Sequence, residues 1–132
     1  MTKQILALAL LMVGSIAQAD SLVDDLNAQY GEENIAVLEL GGRAVVCGYS
    51  DVNSDVNQAH YADNVCRHFG YAEAVGHRCG WEAGRDANRP PPIILSVDPV
   101  FGQPIAIPFR EEPGRGLGFY STVICLLKPL KR

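Results

Sequence analysis

What this chain has little of is clustered positive charge. Its 132 residues carry eleven Lys and Arg against fifteen Asp and Glu, a formal charge of −4. Only "KPLKR" at the C-terminus gathers basic side chains, and it reads as a solvated tail. Nucleic acids and anionic membranes reward clustered Lys and Arg, so neither is an expected partner. No apolar run reaches the roughly 20 residues that span a bilayer, which argues against a membrane anchor. There is no C-x-x-C pair, and the four cysteines stand 19, 13 and 46 residues apart, unlike a zinc knuckle. No serine lies in a G-x-S-x-G elbow, and no internal repeat or low-complexity block is present.

What is there begins with an export signal. Lys3, the uncharged run "ILALALLMV" and the small-x-small site "AQA" at Ala17 to Ala19 have the form of a cleavable signal peptide over residues 1–19. No cysteine follows the cleavage site, which disfavours a lipoprotein. The mature chain would start at Asp20, carry a formal charge of −5 once Lys3 is gone, and form one small domain over 20–132 with its basic tail. The expected location is secreted or periplasmic. Cys47, Cys66, Cys79 and Cys125 all lie in the mature part, and an even count in an exported domain reads as two disulfides with three possible pairings. That leaves no spare thiolate for a Cys-His nucleophile.

Periodicity sketches the elements. "DSLVDDLNAQYG" reads as a short helix with Ser21 as N-cap and Gly31 as stop. "NIAVLEL" and "RAVVCGY" flank Gly41-Gly42 and read as a hairpin. Ser54 is a natural N-cap for a helix whose apolar stripe runs through Val56, Ala59, Ala62, Val65, Cys66 and Phe69, with Gly70 ending it. A short apolar stretch, Tyr71 to Val75, precedes "GHRCGWEAGRDANRPPP", which reads as a long surface loop held by Cys79. "IILSV", "PIAIPF" and "GFYSTVICLL" are strand-like, and Pro104 and Pro108 suit an edge strand. The fold class expected is α+β, a mostly antiparallel sheet wrapped around one central helix.

In order along the chain, "NIAVLELGGRAVVCGYSD", "ADNVCRHFGYAEAV", "PIILSVDP" and "YSTVICLL" resemble the hairpin, helix, following strand and last cysteine-bearing strand of scavenger receptor cysteine-rich domains. "VCRHFGY" is the most specific match. Arg43-Ala44-Val45-Val46 replaces the family's usual tryptophan-glycine-threonine, and Gly48-Tyr49 stands at its acidic pair, with an acid only at Asp51. The resemblance implies a curved sheet cradling the helix, a helix-to-last-strand disulfide and a binding role without catalysis; the family's cation site uses acids near the position of Asp51 and in a later loop, and here that acid pair is incomplete. The apolar stripe points Cys66 and the strand places Cys125 toward that same bond, Cys66–Cys125. Cys47–Cys79 then follows by elimination.

Several constellations invite chemistry. His60 and His68 lie about 12 Å apart along a helix, too far to share a metal. His68, His77 and Cys79 could converge on zinc, but Cys79 is more economically a disulfide partner. Adjacent carboxylates, Asp24 with Asp25 and Glu32 with Glu33, point to solvent more readily than to acid-base work. "EEPGRGLG" precedes a strand rather than a helix, so it lacks the helix N-terminus of a phosphate loop. No cofactor, metal or catalytic residue is implied. Arg78, Trp81, Arg85 and Arg89 are residue types enriched at binding hot spots and are the expected partner-binding set. The expected function is an exported, disulfide-stabilised binding or inhibitor module for a protein or a surface glycan. The second reading is a small secreted hydrolase using His68 or His77 with Glu73 or Glu82.

Overall fold

A computed structural model describes residues 21–49, 55–82, 88–110 and 116–130, apart from the side chains of Asp55, Val56 and Glu82. The signal segment, Asp51, Ser54, Arg85 and most of "EEPGRGLG" lie outside the described residues. The chain divides after Glu32 into two compact units. The first contributes helix α1 (Ser21–Tyr30), whose buried residue is Leu26. Gly31 ends it as expected, donating its N–H to the Asn27 carbonyl at 2.9 Å.

The second unit holds β1 (Ile35–Glu39), β2 (Val46–Tyr49), α2 (Asp55–His68), β3 (Glu73–Glu82), β4 (Ile93–Val97), β5 (Pro104–Pro108) and β6 (Leu117–Leu126). The fold is α+β, and every strand-to-strand pairing is antiparallel. The described strands form two sheets rather than one: a four-stranded sheet organised on β6, and β4 with β5. A parallel bridge from Val45 to Ile93 joins them.

Strand β6 organises the larger sheet. Its sequence, "LGFYSTVICL", is nearly continuous in apolar residues and is buried along its length except at Ser121, as a strand covered on both faces must be. β3 pairs along all of it on one side. On the other side β1 takes the Thr122–Leu126 half and β2 the Leu117–Phe119 half. This corrects the expected hairpin: β1 and β2 do not pair with each other but follow one another along β6. Glu39 faces Thr122 and Val46 faces Phe119, so seven residues on this edge pass only three on β6. The surplus loops out at Gly41 and Gly42, both at positive φ as expected. Between β6 and β3, the step from Thr122 to Tyr120 matches only that from Arg78 to Cys79, leaving Ser121 as a bulge. The bulge resets the alternation, so that Tyr120, Val123 and Cys125 share one face.

Helix α2 packs on that face, against β2, β3 and β6, and also meets β4. The middle of its expected stripe is the contact: Ala62, Val65 and Cys66 are buried with Val45, Cys47, Leu95 and Tyr120. The stripe's end is not, because Phe69 lies past the last helical residue and is exposed. Gly70, at φ 88°, stops the helix. Its N–H donates to the Arg67 carbonyl at 3.0 Å and the Tyr71 N–H to the Cys66 carbonyl at 2.9 Å, the paired bonds of a Schellman cap. Tyr71 then packs on the core. On the sheet's other face, Val46, Leu117 and Phe119 pack with Tyr49, Ile94 and Phe109.

Both expected disulfides are present. Cys66–Cys125 fastens α2 to β6, with a Cα separation of 5.6 Å and a sequence separation of 59. A loop of that length restricts the unfolded chain by about 4 kcal/mol on the chain-entropy model. Cys47–Cys79 joins β2 to β3, which flank β6 rather than touch each other. Next-nearest strands of a flat sheet lie about 9.6 Å apart, whereas these Cα atoms are 6.0 Å apart. The two strands therefore lean together over β6 at this point. The residue beneath is Gly118, where an added Cβ would stand 2.8 Å from each sulfur.

A methyl group at this position meets both sulfurs closely and Trp81 less closely, so most of its cost should depend on the bridge. We expect Gly118→Ala to lower stability by about 1–3 kcal/mol, the usual cost of overpacking. The same change in a Cys47→Ala/Cys79→Ala background should cost much less. Urea unfolding of the four proteins measures the cycle, and equal costs in both backgrounds would remove the steric explanation.

Candidate functional site

The hairpin β4–β5 is built to hold its tip still and in the open. "DPVFGQ" makes the turn. The Asp98 N–H donates to the Gln103 carbonyl at 2.8 Å and the Gly102 N–H to the Asp98 carbonyl at 2.7 Å. The Asp98 carboxylate accepts the Val100 N–H at 2.9 Å. Pro99 fixes its own φ, and Gly102 takes the left-handed value of 68° that closes the turn. Between these braces stand Val100 and Phe101, 77% and 79% exposed.

The hairpin's base is anchored on three sides. Leu95 enters the α2 core, Ile94 and Phe109 pack on the opposite cluster, and Phe109 stacks at a tilt on Tyr49 with centroids 5.4 Å apart. His68 donates its Nδ1–H to the Ser96 carbonyl at 3.0 Å, tying β4 to the end of α2.

Among the described strands β5 pairs with β4 alone, the edge position its prolines foretold. Bonds from Asp98 N–H to Gln103 and from Phe109 N–H to Pro92 set the alternation of its ladder. Ile105 and Ile107 accordingly turn their main-chain groups to β4, and Pro104, Ala106 and Pro108 turn theirs outward. Two of those three outward positions have no N–H.

The expected partner-binding set is distributed differently. "HRCGWE" is not part of a loop: it is the second half of strand β3, and the chain leaves that strand only after Glu82. The reason is the apolar pairing surface of β6, along which these residues pair from Val123 to Leu117 with Ser121 bulged out. Arg78 and Trp81, three apart on a strand, leave opposite faces of the sheet. Trp81 is 41% exposed and covers Gly118, with Cε2 3.2 Å from where a Cβ would stand. Arg89 lies on the face opposite to Trp81, its guanidinium carbon 4.7 Å above the centre of the Phe119 ring. Arg85 lies outside the described residues.

The histidines of the second reading serve as braces. His68 is held by Ser96 as above, and His77 Nε2 meets Gln58 Oε1 at 3.2 Å while its ring sits edge-on to Tyr120. Tyr120 is fully buried and donates its hydroxyl to the Gln58 main-chain carbonyl. Burial, then the nearby Tyr61 and Asp63, push its phenol well above the ordinary value near 10. Glu73 lines a groove of about 250 Å³ with Arg67, Ala72, Pro129 and Leu130. Glu82's side chain lies outside the described residues. Among the described residues no three His, Cys, Asp or Glu gather as metal ligands.

The hairpin tip was not among the expected site residues. "IILSV" and "PIAIPF" were legible as strands, and the Asp-Pro and Phe-Gly steps between them are turn signals. Their pairing with each other, which leaves Val100 and Phe101 outermost, required the fold. Comparison with protein-family models, curated proteins and solved structures finds no match. The resemblance to scavenger receptor cysteine-rich domains accordingly stands on the residues quoted for it alone.

Two measurements check this geometry. Trp81, the chain's single tryptophan, shares the space over Gly118 with both sulfurs of Cys47–Cys79, and disulfides quench indole emission at contact. Reduction of the folded protein should raise its fluorescence, and an unchanged signal with Cys47–Cys79 opened would displace Trp81 from this position. Tyr120 has a raised folded pKa, so the native state holds its proton where the unfolded chain releases it. Its stabilising contribution is full below about pH 10 and is lost as pH rises toward the folded value. Absorbance at 295 nm should show one phenol ionising only as the fold is lost, and Tyr120→Phe should remove that component.

Proposed function

We propose that the chain is an exported binding module for a protein or a surface glycan, without catalysis, and that the β4–β5 hairpin is its contact surface. The carrying observation is the tip itself. Apolar side chains as open as Val100 and Phe101 cost nothing singly, but a six-residue turn braced to hold two of them outward has no use in the core. Loops fixed on a rigid scaffold are where binding residues concentrate. Two disulfides suit an oxidising compartment, and no described helix is long and apolar enough to cross a membrane. Cleavage after Ala19 and release to the periplasm or medium complete the reading. A hydrolase would call for a carboxylate oriented on an imidazole. The ring contacts of Ser96 carbonyl on His68 and Gln58 amide oxygen on His77 suit a bracing role for both imidazoles.

Two outcomes are expected. Expressed with its own N-terminus in a secreting host, the protein should leave the cytoplasm with the intact mass of residues 20–132 and both disulfides. The mature protein, immobilised, should retain a component of its native extracellular fraction, and Val100→Ser/Phe101→Ser should lower that retention at least tenfold with unfolding unchanged. Equal retention by both proteins would refute the hairpin as the contact surface.

A further inference from the structure

We infer that the hairpin's partner is a folded protein with an apolar cleft, which Val100 and Phe101 enter end-on; this rests on the binding reading above and names its partner. Three other occupants are disfavoured by features of the hairpin itself. Strand addition needs a free edge of alternating N–H and C=O groups, and β5 turns outward Pro104, Ala106 and Pro108, with a single N–H among them. Such an edge is closed to pairing, whether by a partner's strand or by β5 of a second copy.

An anionic lipid surface needs cations near the inserted side chains. From Asp98 to Pro108 the hairpin carries no Lys or Arg, and its one charge is the Asp98 carboxylate. A tip-to-tip dimer of this chain would cover little beyond Val100 and Phe101. Two such side chains supply on the order of 300 Å², against the roughly 800 Å² a side of a standard stable interface.

A cleft changes that balance. A protruding hairpin received in a concavity also buries its flanks, and here those are apolar: Pro99, Pro104, Ile107 and Pro108 are all exposed. The brace around Asp98 and Gly102 keeps the turn in one conformation, which spares the complex the ordering cost that a flexible loop would bring. A rigid aromatic at the apex with proline shoulders is the arrangement of a hot-spot side chain entering a pocket. Such a partner recognises shape and apolar surface, and salt should affect its affinity little.

The test places a benzophenone photocrosslinker at position 101, or at position 37 of β1 as a control, in the full mature protein. Each is irradiated in the native extracellular fraction, and anionic and zwitterionic phosphatidyl vesicles are assayed separately for binding. The inference expects one protein adduct from position 101 and none from 37, abolished by Val100→Ser, and no vesicle binding. It further expects Pro104→Val/Pro108→Val, which reopens the β5 edge, to leave adduct yield within about twofold. A large gain from the proline variant would mean strand addition and overturn the end-on mode. An adduct of twice the chain's mass, a glycan adduct, or vesicle binding lost on Val100→Ser would overturn the protein cleft while leaving the hairpin as the contact surface. Absence of any adduct at 101, with retention unaffected by the serine variants, would overturn both.

Discussion

The hydrogen-bond ladder along β6 is the constraint on which the rest of the second unit depends. Three strands take their register from it, and one disulfide ends on it while the other crosses over it. Because β6 follows the other described strands in sequence, β1, β2 and β3 cannot complete their pairing until Leu117 to Leu126 has been made. Each of the three is separated from its partner by a long stretch of sequence. The ordering entropy of those long closures is what the apolar content of β6, and the two cross-links, must offset.

Most of the local signals in the sequence survived, although the expected helical stripe loses Ala59 and Phe69 to solvent. The stripe of Ala62, Val65 and Cys66, the stops at Gly31 and Gly70, and the edge character of Pro104 and Pro108 are all consequences of near-neighbour sterics and burial, and each was readable. What was not readable was non-local. Gly41-Gly42 carries the positive φ of a hairpin turn, yet the chain uses it to loop out and continue along β6. "HRCGWE" has the Gly and Arg content of a loop, and propensity alone left it there. Its partner on β6, more than thirty residues away, holds it extended. Propensity yields to pairing wherever a long apolar strand offers a complete ladder.

The same distinction separates the two views of the binding surface. Residue type singled out Trp81 and the arginines, but strand alternation sends Arg78 and Trp81 to opposite faces, and Trp81 and Arg89 are each occupied over a neighbour, Gly118 and Phe119. Val100 and Phe101 are unremarkable as residue types. They become informative because the turn that carries them is braced and because the strand beside them is closed to pairing. The position of a side chain in the fold, rather than its identity, carries the functional argument here.

The order of the four cysteines has a consequence of its own. Cys66 lies inside the loop closed by Cys47–Cys79, and its partner Cys125 lies outside, so the two covalent rings interlock in sequence. Cutting the backbone once anywhere between Cys47 and Cys125 leaves at least one bridge joining the two pieces. A protease that nicks the exposed turn at Val100 or Phe101 therefore makes new chain ends without making two molecules. A chain nicked at that exposed turn thus loses a peptide bond and still holds together as a single covalent body.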